Sequence, residues 1–313
     1  MRRTLPILAA AFAFATTVNA EGTPPGTPPP PPAAEAGVAG DAAPTPEQLA
    51  ALLEQMKKEQ EEFSKAVGYK PGPLAGDMGI ATINVPAGMQ FTDGAGAKKW
   101  GELTTNPVSQ KEIGLIGPDD GRWLVLFEFD DVGYVKDDDK DDLKADELLD
   151  SIKEGTDGFN KESRIPAGLP PMNIVGWEQK PTYNEAAHVL EWCVRAESGG
   201  EPSLNFNTRV LGRRGVAQVT LMFGGEVTLQ QALPEFRELM KGFAFKEGER
   251  YAEYREGDKM AEYGLAALIA GGGVALAAKS GLLGKLIKPI IVGVVALFGV
   301  VGSWIKKITG KKS

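Results

Sequence analysis

Residues 204–223 constrain the fold more than any other stretch of this chain. Leu204, Phe206, Thr208 and Val210 alternate with Asn205, Asn207, Arg209 and Leu211. A period of two places successive side chains on opposite faces of a strand. Gly212-Arg213-Arg214-Gly215 reads as a turn, and Ala217, Val219, Leu221 and Phe223 line the returning strand. The pattern predicts antiparallel pairing with one apolar face and a solvated outer face carrying Asn205, Asn207 and Arg209.

Other segments extend this sheet. Ile80–Val85 alternates and stops at Pro86-Ala87-Gly88, and Trp123–Phe129 is strongly apolar. Asn173–Gln179 and Val189–Ala196 read as a hairpin around Pro181-Thr182-Tyr183-Asn184. Two helices interrupt the strands. Leu148, Leu149, Ile152 and Phe159 mark one. Leu229, Leu233, Phe236, Leu239 and Met240 mark the other, with Pro234 near its start or kinking it. Residues 68–250 therefore predict one α+β domain, a mainly antiparallel sheet with helices packed on it.

The two ends predict the chain's place in the cell. Residues 1–20 have the form of a secretory signal peptide. Arg2 and Arg3 precede an apolar stretch, and small or apolar side chains at Val18 and Ala20 suit cleavage. Pro289–Ile305 is a run of 17 uncharged residues edged by Trp304 and followed by Lys306, Lys307, Lys311 and Lys312. A span needs about 20 apolar residues, so this run predicts a short C-terminal transmembrane helix. Its lysine tail, 306–313, is expected on the cytoplasmic side. The sequence leaves one span or two open. Residues 251–288, rich in Gly and Ala, read as an interfacial or re-entrant segment, with a first span as the alternative.

Between signal and domain, residues 21–44 form a Pro/Ala-rich linker, with seven prolines in 23–32. Residues 45–67 predict an amphipathic helix opened by a Thr45/Gln48 capping box. Its stripe of Leu49, Leu52, Leu53 and Met56 must bury itself on the domain, on a copy of itself or on a partner.

Composition excludes several chemistries. The chain has 313 residues, a formal charge of -8, one histidine and one cysteine. The usual His/Cys zinc site cannot be built, and no intrachain disulfide can form. The acidic balance argues against nucleic acid as a partner. His188 and Cys193, five residues apart on one strand, point to opposite faces and do not make a thiol dyad. No phosphate-binding glycine loop or nucleophile-elbow motif occurs, and no cofactor is expected.

The strongest local signal is acidic. Residues 128–157 carry thirteen carboxylates against four lysines. Asp137, Asp139 and Asp141 have the spacing that opens a calcium loop, but Asp142 and Leu148 stand where the turn glycine and the bidentate glutamate belong. Three readings stay open. The segment is a weak divalent-cation site on Asp137, Asp139 and Asp141, an acidic lead-in to a helix, or a docking face for a basic partner that includes Asp138 and Asp142. Arg209, Arg213 and Arg214 are candidates for binding an anionic lipid or cell-wall ligand.

Several motifs carry a family resemblance. They are Gly133-Tyr134-Val135-Lys136-Asp137-Asp138, Asp146-Glu147-Leu148-Leu149, Val175-Gly176-Trp177, Asn205 through Arg213, and Tyr263-Gly264-Leu265-Ala266-Ala267-Leu268. In these the chain resembles a family of bacterial membrane-anchored proteins that is known only as a domain of unknown function. The order of elements is similar to the Mog1/PsbP-like α/β sandwich. The resemblance implies a fold and an anchor but no catalytic residues.

The expectation is an inner-membrane-anchored protein with a periplasmic domain, acting without catalysis as a binding or assembly factor of the bacterial envelope. Its expected partners are the lipid bilayer and an envelope protein. A carboxylate- or cation-dependent enzyme is the first alternative, and an anionic-ligand binder the second.

Overall fold

Residues 45–104, 106, 108–223 and 227–270 are described by a computed structural model of the chain. The predicted signal 1–20, linker 21–44, residues 271–288 of the Gly/Ala-rich stretch, membrane segment 289–305 and tail 306–313 lie outside these residues. Among the described residues no helix is long and apolar enough to cross a membrane.

The chain divides into two units, residues 1–63 and 64–313. The described part of the first is most of helix α1 (Pro46–Val67). Its start is closed by a reciprocal pair: the Thr45 amide donates to Gln48 Oε1 at 2.9 Å, and the Gln48 amide donates to Thr45 Oγ1 at 3.3 Å. Leu49, Leu52 and Leu53 stand about half exposed on this helix.

The second unit runs, in chain order, through β1 (Lys70–Pro71), β2 (Leu74–Asp77), β3 (Ala81–Val85), β4 (Met89–Asp93), α2 (Gly94–Thr104), β5 (Glu112–Pro118) and β6 (Trp123–Asp130). It continues with α3 (Ala145–Phe159), β7 (Met172–Asn184), β8 (Val189–Ser198), β9 (Glu201–Leu211), β10 (Val216–Phe223), α4 (Leu229–Met240), β11 (Phe243–Phe245) and α5 (Leu265–Ile269). Eight strands form one sheet in the order β1-β4-β5-β6-β10-β9-β8-β7, and β11-β3-β2 form a second. Every pairing within the two sheets is antiparallel. The predicted mixture of helices and antiparallel sheet is what the chain adopts.

The large sheet is covered on both faces. On one face Phe127, Phe206, Val219 and Leu221 pack with Ile83 of the small sheet and with Leu229, Phe236 and Leu239 of α4. Phe206 and Phe236 meet edge to face at 5.7 Å. Helix α4 starts at a second box, in which the Thr228 amide donates to Gln231 Oε1 at 2.9 Å. Pro234 lies inside this helix. On the other face Leu190, Trp192, Leu211 and Val216 pack against Leu148 of α3 and Leu265, Leu268 and Ile269 of α5. Helix α2, whose first amides are capped by Asp93 Oδ1, covers Leu115 and Met222 farther along that face.

Two expectations need correction. Asn205, Asn207 and Arg209 were expected on a solvated outer face, yet Asn207 and Arg209 are buried. The face they share is roofed by α3, α5 and residues 132–143, which the periodicity of one strand does not report. The domain also continues past residue 250, where an interfacial segment was expected to begin. Tyr251 and α5 are buried in the domain, and Tyr134 and Met260 pair through their backbones. These side chains pack on the second face of the sheet.

Candidate functional site

The acidic segment folds into a loop and then a short 3₁₀ turn, Lys140–Asp142, ahead of α3. Its carboxylates separate into two groups. Asp137 and Asp139 turn inward. Asp137 Oδ2 accepts from the Tyr183 hydroxyl at 2.8 Å and lies 3.9 Å from His188 Nδ1. Asp139 accepts the amides of Leu265 and Ala266 at 3.0 and 3.1 Å. A carboxylate is well placed at the exposed N–H groups of a helix start. Gly264 makes this approach possible, since a Cβ there would lie 2.7 Å from Asp139 Oδ2. Asp138, Asp141 and Asp142 turn outward and are exposed, as are Asp146 and Glu147.

Asp137, Asp139 and Asp141 therefore do not converge. Among the described residues no three His, Cys, Asp or Glu side chains are gathered to hold a metal ion. The calcium-loop spacing is present without its geometry, because Asp139 is occupied in capping a helix over 120 residues away in sequence. Asp138 and Asp142, expected to contact a partner, are on the open side of the same loop.

An aromatic stack lies behind the loop. His188 meets Tyr251 at 4.2 Å, Tyr251 meets Tyr134 at 4.4 Å, and Tyr134 meets Tyr254 at 4.5 Å. The Tyr251 hydroxyl donates to the Val135 carbonyl at 3.0 Å and also lies 3.3 Å from Asp137 Oδ1. Burial first, then hydrogen bonding, pushes the phenols of Tyr183 and Tyr251 well above their ordinary range. Both stay neutral donors to the loop. This constellation joins residues 134–137, 183–188 and 251–254, and only the topology brings these together. His188 is a half-buried turn residue with a φ of 52°. Cys193 is buried on the opposite face, and burial pushes its thiol up to about 12. The two do not form a dyad.

A second polar group is buried on the sheet itself. Arg209 is 4% exposed and Asn207 is 2% exposed. In the register of the sheet, Arg209 sits between Gln218 on β10 and Leu190 on β8, and Asn207 between Thr220 and Trp192. The Arg209 guanidinium lies over the Trp192 ring at 4.8 Å from its centre. Its Nη1 donates to the Thr208 carbonyl at 3.2 Å. Burial, partly offset by the nearby Glu128 and Asp130 charges, brings its pKa down to about 10, so it is charged at neutral pH.

Glu112 and Glu128 face each other across β5 and β6. Both carboxyls meet the Ser109 hydroxyl, Glu112 at 3.1 Å. A hydroxyl has one proton to donate, so one of these contacts is completed when a carboxyl carries a proton. Burial raises the Glu128 pKa, and the neighbouring Glu112 adds to the shift.

Arg213 and Arg214 are elsewhere. Arg213 grips Asp258 through two bonds of 2.7 Å, and Arg214 Nε reaches Glu249 at 2.7 Å. The Arg213 pairing holds the Asp258 carboxyl down at about 2. The three arginines expected to bind one anionic ligand are thus separated: one is inside the sheet's cover, and two clamp residues 249–258 onto the turn. The buried role of Arg209 had one legible signal. Leu211 shares its strand face, and an apolar side chain there breaks the polar alternation.

The profile of a family described as "Protein of unknown function (DUF2167)" matches residues 68–302. No curated protein matches the chain. Among solved structures, cyanobacterial PsbP (CyanoP) from Synechocystis sp. PCC 6803 is 11% identical with a TM-score of 0.34, over 57% of this chain and 91% of that one. The Tle4–Tli4 complex gives 9% identity and a TM-score of 0.25, over 67% of this chain and 87% of that one. The immunity protein TplEi of Pseudomonas aeruginosa gives 9% identity and a TM-score of 0.24, over 66% and 86%.

Proposed function

Because the chain belongs to the DUF2167 family, whose function is unknown, we propose one from its own residues: a non-catalytic binding factor of the bacterial cell envelope. It is held at the inner membrane by residues 289–305 with its domain in the periplasm, and it contacts an envelope partner through the exposed side of the acidic loop. The observation that supports this reading is the Asp139 cap on α5. The loop and the root of the C-terminal apolar sequence are tied by two hydrogen bonds, and α5 is buried in the domain. Asp138, Asp141 and Asp142 are left free to meet a basic surface near the bilayer. Anchoring raises local concentration, so weak contacts with neighbouring membrane proteins suffice.

Topology is tested by labelling single cysteines with a membrane-impermeant maleimide in a Cys193→Ala background. With the outer membrane opened, a cysteine at Asp142 is expected to react in intact cells. One at Ser313 is expected to react only after the inner membrane is disrupted. Equal labelling of both positions in intact cells, or recovery of the chain in the soluble fraction, contradicts the anchor.

A further inference from the structure

The buried strip on β9 carries two polar groups whose hydrogen bonding the protein does not complete. The Asn207 side chain donates to the Asn205 carbonyl at 3.0 Å, but its Oδ1 is buried without a partner. Among the described residues Arg209 makes one hydrogen bond, of 3.2 Å, and no ion pair. Its other N–H groups have no protein partner among the described residues and are not sealed from solvent. Buried polar groups are nearly always paired, so the sealed Asn207 oxygen is the exception to explain.

The neighbouring acids do not complete Arg209. Asp130 is held by Lys111 at 2.8 Å and by Gln218 at 3.3 Å. Glu128 is engaged by Ser109. The Trp192 ring covers one face of the guanidinium and so fixes its plane. A planar fork held in this way presents parallel N–H groups to a bidentate oxyanion. Asn207, two positions along the same strand face and directly opposite Trp192, offers an acceptor on the same strip.

We propose that Arg209, Asn207 and Trp192 form a binding site for a small ligand that carries an oxyanion, carboxylate or phosphate, and a neighbouring N–H or O–H donor. The oxyanion sits in the Arg209 fork, and the donor meets Asn207 Oδ1. The site is distinct from the exposed side of the acidic loop, although residues 132–143 and α5 cover the face on which it lies. It lies on the opposite side of the sheet from the main apolar core, between β8 and β10.

The test uses the full-length chain in detergent with two probes. N-acetylmuramic acid offers a carboxylate and an amide N–H, and glycerol 3-phosphate offers a phosphate and hydroxyls. Indole-labelled tryptophan spectra are recorded during titration, with the Trp192 signal assigned by Trp192→Phe. One probe is expected to move the Trp192 signal saturably at millimolar or lower concentration. Its identity separates a carboxylate source from a phosphate source. Arg209→Lys keeps the charge but loses the fork, and Asn207→Asp opposes an oxyanion. Each is expected to weaken binding at least tenfold. The wild-type titration needs no variant, so a variant that fails to fold does not remove the test. An unmoved Trp192 signal with both probes overturns the proposal, because the strip then holds only solvent. Wild-type affinity in both folded variants also overturns it.

Discussion

Tyr251→Ala should destabilise the domain by about 3–5 kcal/mol, the range for removing a buried aromatic side chain. The ring is buried and stacked between Tyr134 and His188. Its loss leaves a hole where residues 134–137, the end of β7 with the turn to His188, and residues 251–254 meet. Tyr251→Phe keeps the ring and loses the hydroxyl, which leaves the Val135 carbonyl at 3.0 Å without that donor. The cost of that change is about 1–3 kcal/mol. Packing therefore outweighs the hydrogen bond here, and urea unfolding of the two variants should show it directly. Comparable losses in both would mean that the hydroxyl, and not the stack, holds the loop.

Phe236→Ala should also cost about 3–5 kcal/mol, for a different reason. Phe236 is fully buried and meets Phe206 edge to face at 5.7 Å. It is a main apolar contact between α4 and the large sheet. The two aromatic residues belong to separate clusters on opposite faces. Substitutions with no shared partners add to within about 0.5 kcal/mol. The double variant should therefore lose nearly the sum of the two single losses. Function should separate them. At a temperature where both variants remain folded, Phe236→Ala should keep partner contact, because α4 does not touch the acidic loop. Tyr251→Ala should weaken it, because the loop loses its backing.

The strands most legible in sequence include those with a strict period of two, beside the continuously apolar β6. β9 and β10 alternate cleanly, and the turn between them is marked by two glycines. The β4 and β5 end of the sheet was harder to read. β4 and β5 flank α2, a helix opening on Gly94-Ala95-Gly96, and glycines are poor helix markers in sequence. There Asp93 supplies the cap and Gly96 fits against the Val67 carbonyl, where a Cβ would come within 2.2 Å. That close approach is a tertiary requirement with no local pattern.

The candidate sites show the same division. The acidic loop was legible as a charge run, but which carboxylates face inward was not. Asp139 reaches Leu265, and Asp137 reaches Tyr183, through contacts spanning 126 and 46 residues. The chemistry of Arg209 was visible as a residue type, while its burial depends on α3 and α5 folding over the sheet. A solvated strand face and a covered one have similar alternation until the covering elements are known.

The most direct test of the account is capture of the partner in intact cells. A photo-crosslinking residue is placed at Lys136, beside the exposed carboxylates, in the full-length chain. The control carries Asp138→Asn, Asp141→Asn and Asp142→Asn and leaves Asp137 and Asp139 in place, so the α5 cap and the tyrosine contacts survive. The account predicts one membrane or envelope protein captured by the wild-type loop, with capture reduced at least tenfold in the control at equal abundance. Equal capture by both chains, or none by either, would contradict a docking role for the acidic loop.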